Sequence, residues 1–499
     1  MPVVPSQSEA EIAERAFEHL LSVVSVESAS DELSTTIPST PGQAALADQV
    51  GAFFEALGGV VERDDNANVI ATFAGRGVLR DAEPLALMVH LDTAKGTEPA
   101  AELDVAWGWD GSRLTWSGND RIRVDLETYP SLSAYVGQDV VHGTGKAPFG
   151  LDDKLGLTHM MTLAWLLHSN PTIPHRPLLL IGRPDEEIGR MEALIGLAEL
   201  LAARGVRSGY TVDGLDPFEL NVQNFNAAGA SITFPSELVA GSSLGYRLCG
   251  VNTHGATAHA EGHRAATRLA SELVDLPFLR VVGFASDPDR TCDADVWFLT
   301  DDREALEEAL DDVVAPHRDR GAGWHRIVGT EVPDLNAETM LRFVRDFLLS
   351  DPGFTLPAED SHGFDGYSHP WRATPVDRDL RLDIRIRDFT DRGLQERIAH
   401  VLELAPHAVV KHQYVNMGPR LQDRPELLTW AQDAGAAIDR DVPVQPIRGG
   451  TGVDPFLDEG VAVANLGTGY FAPESEKELT SLQMLAGHAR WLVALVQQG

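Results

Sequence analysis

Positive charge is scarce in this chain of 499 residues: 40 Lys and Arg stand against 75 Asp and Glu, for a formal net charge of −35. Nucleic acid and anionic membrane surfaces both require cationic patches, so neither is expected as a partner. Cysteine is scarcer still. Cys249 and Cys292 are too few for a disulfide framework, fit a reducing compartment, and lie away from the acidic motifs described below. No hydrophobic run approaches the roughly 18–20 residues of a membrane-spanning helix. The opening "MPVVPSQSEAEIAERAFEHLL" lacks a basic n-region, which argues against a secretory signal and for a cytoplasmic protein. Internal repeats and low-complexity tracts are missing too. The acid surplus reads first as a solubilising surface, and secondly as a field that attracts cations.

What is present is a folding composition. With 43% hydrophobic and 23% charged residues the chain is globular rather than disordered, and its length calls for more than one domain. From about residue 8 to 215, helical patterns alternate with short apolar strands such as "NVIATF", "LALMVHL", "PLLLIGR" and "SGYTVD". Strands that are apolar throughout imply a sheet covered by helices on both faces, an α/β layer architecture. Near residue 222 the texture changes to alternating strands and amphipathic helices, and near 415 the α/β texture returns. The expected fold is therefore two-domain: a mixed-sheet α/β domain formed by 1–221 and 415–499, interrupted by a smaller α+β domain at 222–414. Within the latter, 280–358 reads as an embellishment.

Four motifs carry chemistry. In "LMVHLDTA", His90 and Asp92 are two apart on a predicted strand, placing both side chains on one side. A carboxylate there can anchor the second nitrogen of a metal-bound imidazole. "GLDDKLG" puts Asp152 and Asp153 before a helix, where acids also serve as caps. "RPDEEIG" ends an apolar strand in Asp185, Glu186 and Glu187, and "YTVDG" ends another in Asp213. Each alone has an ordinary alternative: a structural histidine, a helix cap, a solvated turn acid. Together they bring a histidine and at least four carboxylates to strand ends, where open α/β sheets bind ligands. Carboxylates so crowded need raised pKa values or cations among them. Two divalent ions sharing a water would meet that need and leave one carboxylate as general base.

The order "HLDT … GLDDKLG … PDEEIG … GYTVDG … NFNAAGA", with the later "RIRDF", "QYVNMGP" and "IRGGTG", resembles the M20 family of metallopeptidases in its peptidase T branch. The resemblance spans nearly the whole chain apart from about 280–358. It implies a two-zinc catalytic domain interrupted by a lid that also dimerises. It further implies that Asp152 bridges the ions, that His90 and Asp213 complete one site, and that Glu187 binds at the other. Glu186 would be the general base and Asp92 the residue that orients His90. His259, in "THGATAHAEG", would reach the active site of a partner subunit and stabilise the oxyanion. Arg387 and Arg448 are candidates to grip a peptide's carboxylate or backbone, because a guanidinium pairs with a carboxylate through two parallel hydrogen bonds.

The sequence departs from this pattern in two places. The family closes its second metal site with a histidine before the last helix. Here "GTGYFAPESEKELTS" has none, and the position falls on or next to Glu474, with Glu476 in reach and His488 too far along the helix. An all-oxygen second site of Asp152, Glu187 and Glu474 would let Mn2+, Co2+ or Mg2+ compete with Zn2+. In "GGTGVD", Gly452 stands where the family carries Asp. The expectation is a dimeric, metal-dependent exopeptidase that hydrolyses the N-terminal bond of short peptides. The alternatives are an amidohydrolase, deacylase or carboxypeptidase acting on small amides, and a peptide-binding relative without turnover.

Overall fold

Four strands rich in Leu, Val and Ile have no polar face to turn to water, and they form the parallel centre of the main sheet. In the computed structural model, which describes residues 2–235, 243–251, 263–327, 337–350, 366–377 and 379–499, Leu178–Arg183, Leu85–His90, Ser208–Gly214 and Ala462–Gly467 lie side by side and run in the same direction. Antiparallel strands flank them. Val69–Phe73 and Val60–Arg63 extend one edge and Leu220–Asn221 the other, giving a seven-stranded mixed sheet. A strand from residues 462–467 beside one from 208–214 shows the chain returning to its first sheet after a long excursion.

Because the central strands are parallel, their carboxyl ends share one edge. His90 is the last residue of its strand, Asp213 is next to last in its own, and Glu186 and Glu187 follow Arg183 after two residues. The helix Leu151–Ser169 starts at this edge, with its first residues, Asp152 and Asp153, still outside helical geometry. The sheet thus delivers to one place four motifs spread over more than 120 residues of sequence.

The excursion builds two further four-stranded sheets. One has the order Tyr367–Val376, Asp379–Asp388, Asn226–Phe234, Val409–Tyr414; the other has the order Leu279–Ser286, Ala294–Thr300, Leu244–Cys249, Gly323–Ile327. Buried apolar side chains fall into two clusters. One draws on Ile12 to Leu220 and Met417 to Val496, the other on Ala228 to Ala405. The stretch read as an embellishment is woven into the second cluster. Ala294–Thr300 and Gly323–Ile327 hydrogen-bond to the two sides of Leu244–Cys249, and Phe284, Phe298, Leu310 and Phe347 are core residues. Among the described residues no helix is long and apolar enough to cross a membrane.

Candidate metal centre

The turn after Leu178–Arg183 explains the run of three acids. Asp185 adopts a left-handed backbone (φ 55°) and points back into the protein, where its carboxylate accepts the Ser39 N–H and the Gln43 side-chain amide. Its own N–H donates to Gln43 Oε1. Asp185 is thus a fastener. Glu186 and Glu187 are left to line a cavity of about 730 Å³ together with Asp152, Asp213 and Glu474.

Asp92 holds the two glutamates in place. Its fully buried carboxylate accepts the Glu186 N–H at Oδ1 and the Glu187 N–H at Oδ2, each at 3.0 Å. The strand stops at His90, so Asp92 is not on it as the alternation in sequence predicts. His90 Nδ1 meets the Asp92 backbone carbonyl at 2.9 Å, with the carboxylate farther off at 3.4 Å. The imidazole is therefore oriented mainly by a main-chain oxygen, and its Nε2 is turned toward Asp152 Oδ1 at 2.9 Å and Asp213 Oδ1 at 3.5 Å.

Donor atoms converge in two groups, His90 with Asp152 and Glu187, and His90 with Asp153 and Asp213. Asp153, read from sequence as a helix cap, is a buried member of the second group and also accepts the backbone N–H groups of His90 and Gly156. Glu474 belongs to neither group. It faces the same cavity, on a loop with a left-handed backbone (φ 53°), and its charge acts on Glu187. Glu476 is drawn away into an ion pair with Arg290 at 3.1 Å. His488 lies buried between Phe218 and His159, accepts the Phe218 N–H at Nε2 and meets the Met484 carbonyl at Nδ1, so both of its nitrogens are engaged in packing.

The electrostatics fit cations. Burial, then the charges of Glu474 and Asp152, hold the Glu187 carboxyl well above the ordinary range, and its Oε1 is buried with no hydrogen-bond partner among the described residues. Burial raises Asp213 and Asp153 as well. Burial pushes Glu186 up to about 7, opposed by Arg183, whose Nη2 is 3.8 Å away. Burial disfavours the imidazolium of His90, but Asp213, Asp152 and Asp92 outweigh it and hold the pKa well above the usual value. An orphaned carboxylate oxygen inside a ring of acids and one imidazole is a donor set suited to divalent ions.

Three residues of this region were not read from the sequence. Glu478, buried, accepts the N–H groups of Phe149, Gly150 and Leu151 at Oε2 and that of Glu474 at Oε1, tying the loop before Asp152 to the loop of Glu474. Tyr470 donates its hydroxyl to Asp152 Oδ2 at 2.8 Å. Arg183, fully buried, donates to the carbonyls of Thr451 and Gly452. A Cβ on Gly452 (φ +55°) would stand 2.3 Å from Arg183 Nη1, so the guanidinium fills the space that a side chain there would need. Asp454 turns aside to accept the Val415 N–H.

Arg387 lines the cavity, donates to the Ala228 and Ile386 carbonyls and lies near the Tyr414 ring. Arg448 is buried against Phe225 and Tyr367 rather than lining the cavity. His259 is outside the described residues.

The chain shares its fold with solved structures of an aminopeptidase, a tripeptidase and an M20 family metallo-carboxypeptidase. In sequence the chain is similar to peptidase T. It is 25% identical to peptidase T of Bacillus cereus (strain ATCC 10987 / NRS 248) over 477 residues, covering 95% of this chain and 96% of that protein. The crystal structure of aminopeptidase PepT from Bacillus cereus ATCC 10987 superposes with a TM-score of 0.54 at 15% identity, covering 97% of this chain and 98% of that one. A tripeptidase structure from Staphylococcus aureus gives 0.56 at 14% identity with the same coverage. No family model matches the chain.

Proposed function

We propose that this chain is a metal-dependent aminopeptidase that removes the N-terminal residue of short peptides, working in the cytoplasm as a homodimer with two divalent ions, Zn2+ foremost. The observation that carries the reading is the convergence of His90 with Asp152 and Glu187 and of His90 with Asp153 and Asp213, beside a second glutamate at the wall of a cavity large enough for a peptide. His90, Asp152 and Asp213 would hold one ion and Asp152, Glu187 and Glu474 the other. Such ions, when bound, lower the pKa of a water and polarise a carbonyl. Glu186, fixed through its main chain by Asp92 and not among the converging donors, takes the proton of the attacking water and delivers it to the leaving amine. Tyr470 and Glu478 hold Asp152 and its loop against displacement. Arg387 receives the substrate's terminal carboxylate, and His259, supplied by a partner subunit, would stabilise the oxyanion.

The test is a panel of free-amine peptides set against N-acyl amino acids and C-terminal amides, with Zn2+, Mn2+, Co2+ and Mg2+ in turn. Metal-dependent release of N-terminal residues from free-amine peptides alone supports the proposal. Turnover of N-acyl compounds instead makes the protein a deacylase of the same site chemistry. Binding without turnover under every ion makes it a non-catalytic relative.

A further inference from the structure

The wall of the cavity facing the acidic cluster is built by the sheet Tyr367–Val376, Asp379–Asp388, Asn226–Phe234, Val409–Tyr414, and its charge is of the other sign. Alternate residues of a strand share a face, so Arg381, Asp383, Arg385 and Arg387 all turn to the cavity. Arg381 is compensated by Asp383 at 3.2 Å, and Arg372 by Asp383 at 3.1 Å and Glu32 at 3.2 Å. Arg385 stacks its guanidinium 3.9 Å from the centre of the Trp371 ring, and the charge of Glu474 also acts on it.

Gly229, in the neighbouring strand, is directly opposite Arg385 on one side and Lys411 on the other. A Cβ built there would find one atom within 4 Å, Gln413 Nε2 at 3.8 Å. The missing side chain thus leaves an open recess, with a cation on each flank and an amide donor at its edge. Lys411 forms no ion pair with any described residue. In a chain with a net charge of −35, a cationic recess opening on the same cavity as the acidic cluster makes that cavity bipolar.

We propose that the recess at Gly229, between Arg385 and Lys411, binds a carboxylate side chain, and that the preferred substrates are short peptides ending in Asp or Glu. The inference rests on the aminopeptidase reading and on Arg387 as the grip for the terminal carboxylate. Arg385 and Arg387 are two residues apart on one strand, about 7 Å along it. Their flexible side chains can take the two carboxyl groups of one dicarboxylic residue, one each.

The test compares kcat/KM for Ala-Ala-Glu, Ala-Ala-Gln and Ala-Ala-Lys in the metal-loaded enzyme at low and high salt. Glu should exceed its neutral isostere Gln by on the order of tenfold, as charge-assisted hydrogen bonds do, and salt should narrow the gap. Lys411→Glu, on an exposed residue, should abolish the preference and improve Ala-Ala-Lys, with Ala-Ala-Gln changed less than about threefold. Arg385→Gln should raise KM for Ala-Ala-Glu more than for Ala-Ala-Gln. Equal use of Glu and Gln peptides by the wild type, or an equal effect of Lys411→Glu on all three, overturns this proposal and leaves the aminopeptidase reading standing. Failure to cleave any of the three, or any other free-amine peptide, overturns both.

Discussion

Glu186 and Glu187 are chemically identical neighbours whose main-chain amides are pinned by the same carboxylate, yet their side chains do different things. Glu187 ends in a buried oxygen without a hydrogen-bond partner among the described residues, whereas Glu186 approaches Arg183. Substitution should separate the roles. Glu186→Gln is expected to lower kcat by about 10²–10⁴-fold, the usual contribution of a general base, while metal content measured by mass spectrometry stays that of the wild type. Glu187→Gln should instead lose an ion. If Glu186→Gln keeps wild-type turnover, the proton shuttle is elsewhere. The acids stood out in the sequence because carboxylates crowded at the ends of apolar strands repel one another unless cations or raised pKa values relieve them. The structure brings Asp152, Glu186, Glu187 and Asp213 to one cavity, while Asp185 is turned to a structural task. Asp92 was read half correctly. Its closeness to His90 follows from spacing, but the strand's end turns its carboxylate to two amides and leaves its carbonyl for the imidazole. Arg183 and Glu478 were illegible for another reason: their contacts with Gly452 and Leu151 span 269 and 327 residues, and no local pattern encodes such a pairing.

At the scale of elements, the centre rests on two loops that a single carboxylate ties together. Glu478 takes four backbone N–H groups, three from residues 149–151 and one from Glu474. Glu478→Ala leaves those donors buried and unsatisfied, at about 1–3 kcal/mol each where water cannot replace the acceptor. The expected outcome is a lower melting temperature together with metal affinity weaker by about 10–100-fold, the usual effect of losing support behind ligands. Unchanged affinity with a lowered melting temperature would confine Glu478 to stability. The helix Glu9–Val24 offers a pH test. Burial pushes the imidazole of His19, which meets Thr162 Oγ1 at 2.9 Å, down to about 4. A histidine with a depressed folded pKa favours the fold as the neutral ring. Its contribution is fully present above the unfolded value of 6.5 and is lost as the pH falls toward about 4. The urea midpoint of a His19→Gln variant should therefore change less between pH 6.5 and 4 than that of the wild type; parallel curves would show that His19 protonates freely in the fold. Elements with uniform apolar character were read correctly as strands. The role of 280–358 is open in the sequence, because pairing on both sides of Leu244–Cys249 depends on register that alternation alone does not supply.

At the scale of the whole molecule, the sequence shows a chain that leaves one texture and returns to it, but not how the two parts meet. In the structure the turn at 287–293, from the second core, reaches the first. Arg290 pairs with Glu476 at 3.1 Å and Asp289 approaches Lys95 at 3.7 Å, while Arg372 pairs with Glu32 at 3.2 Å nearby. Gly96 (φ +90°) admits the contact, since a Cβ there would lie 2.7 Å from the Asp289 carbonyl. Arg372 and Glu32 line the cavity that contains the acidic cluster, and Arg290 and Glu476 join the two cores beside it, so these pairs are expected to act on access to the cavity. Arg290 is also held by Asp293 at 3.2 Å, which aims it at a loop two residues from Glu474. Removing the guanidinium should loosen the closed arrangement without damaging either core. For Arg290→Ala the expected result is a several-fold rise in KM for short peptides, kcat within about twofold, a modest fall in melting temperature because Glu476 and Asp293 lose their cation, and a larger radius of gyration in solution scattering. High salt should move the wild type the same way but less, because the Glu476 carboxylate is largely buried and a partly buried pair is screened less than an exposed one. A variant whose kcat collapses with KM unchanged would mean that Arg290 acts on the Glu474 loop, and through it on the metal centre, rather than on closure.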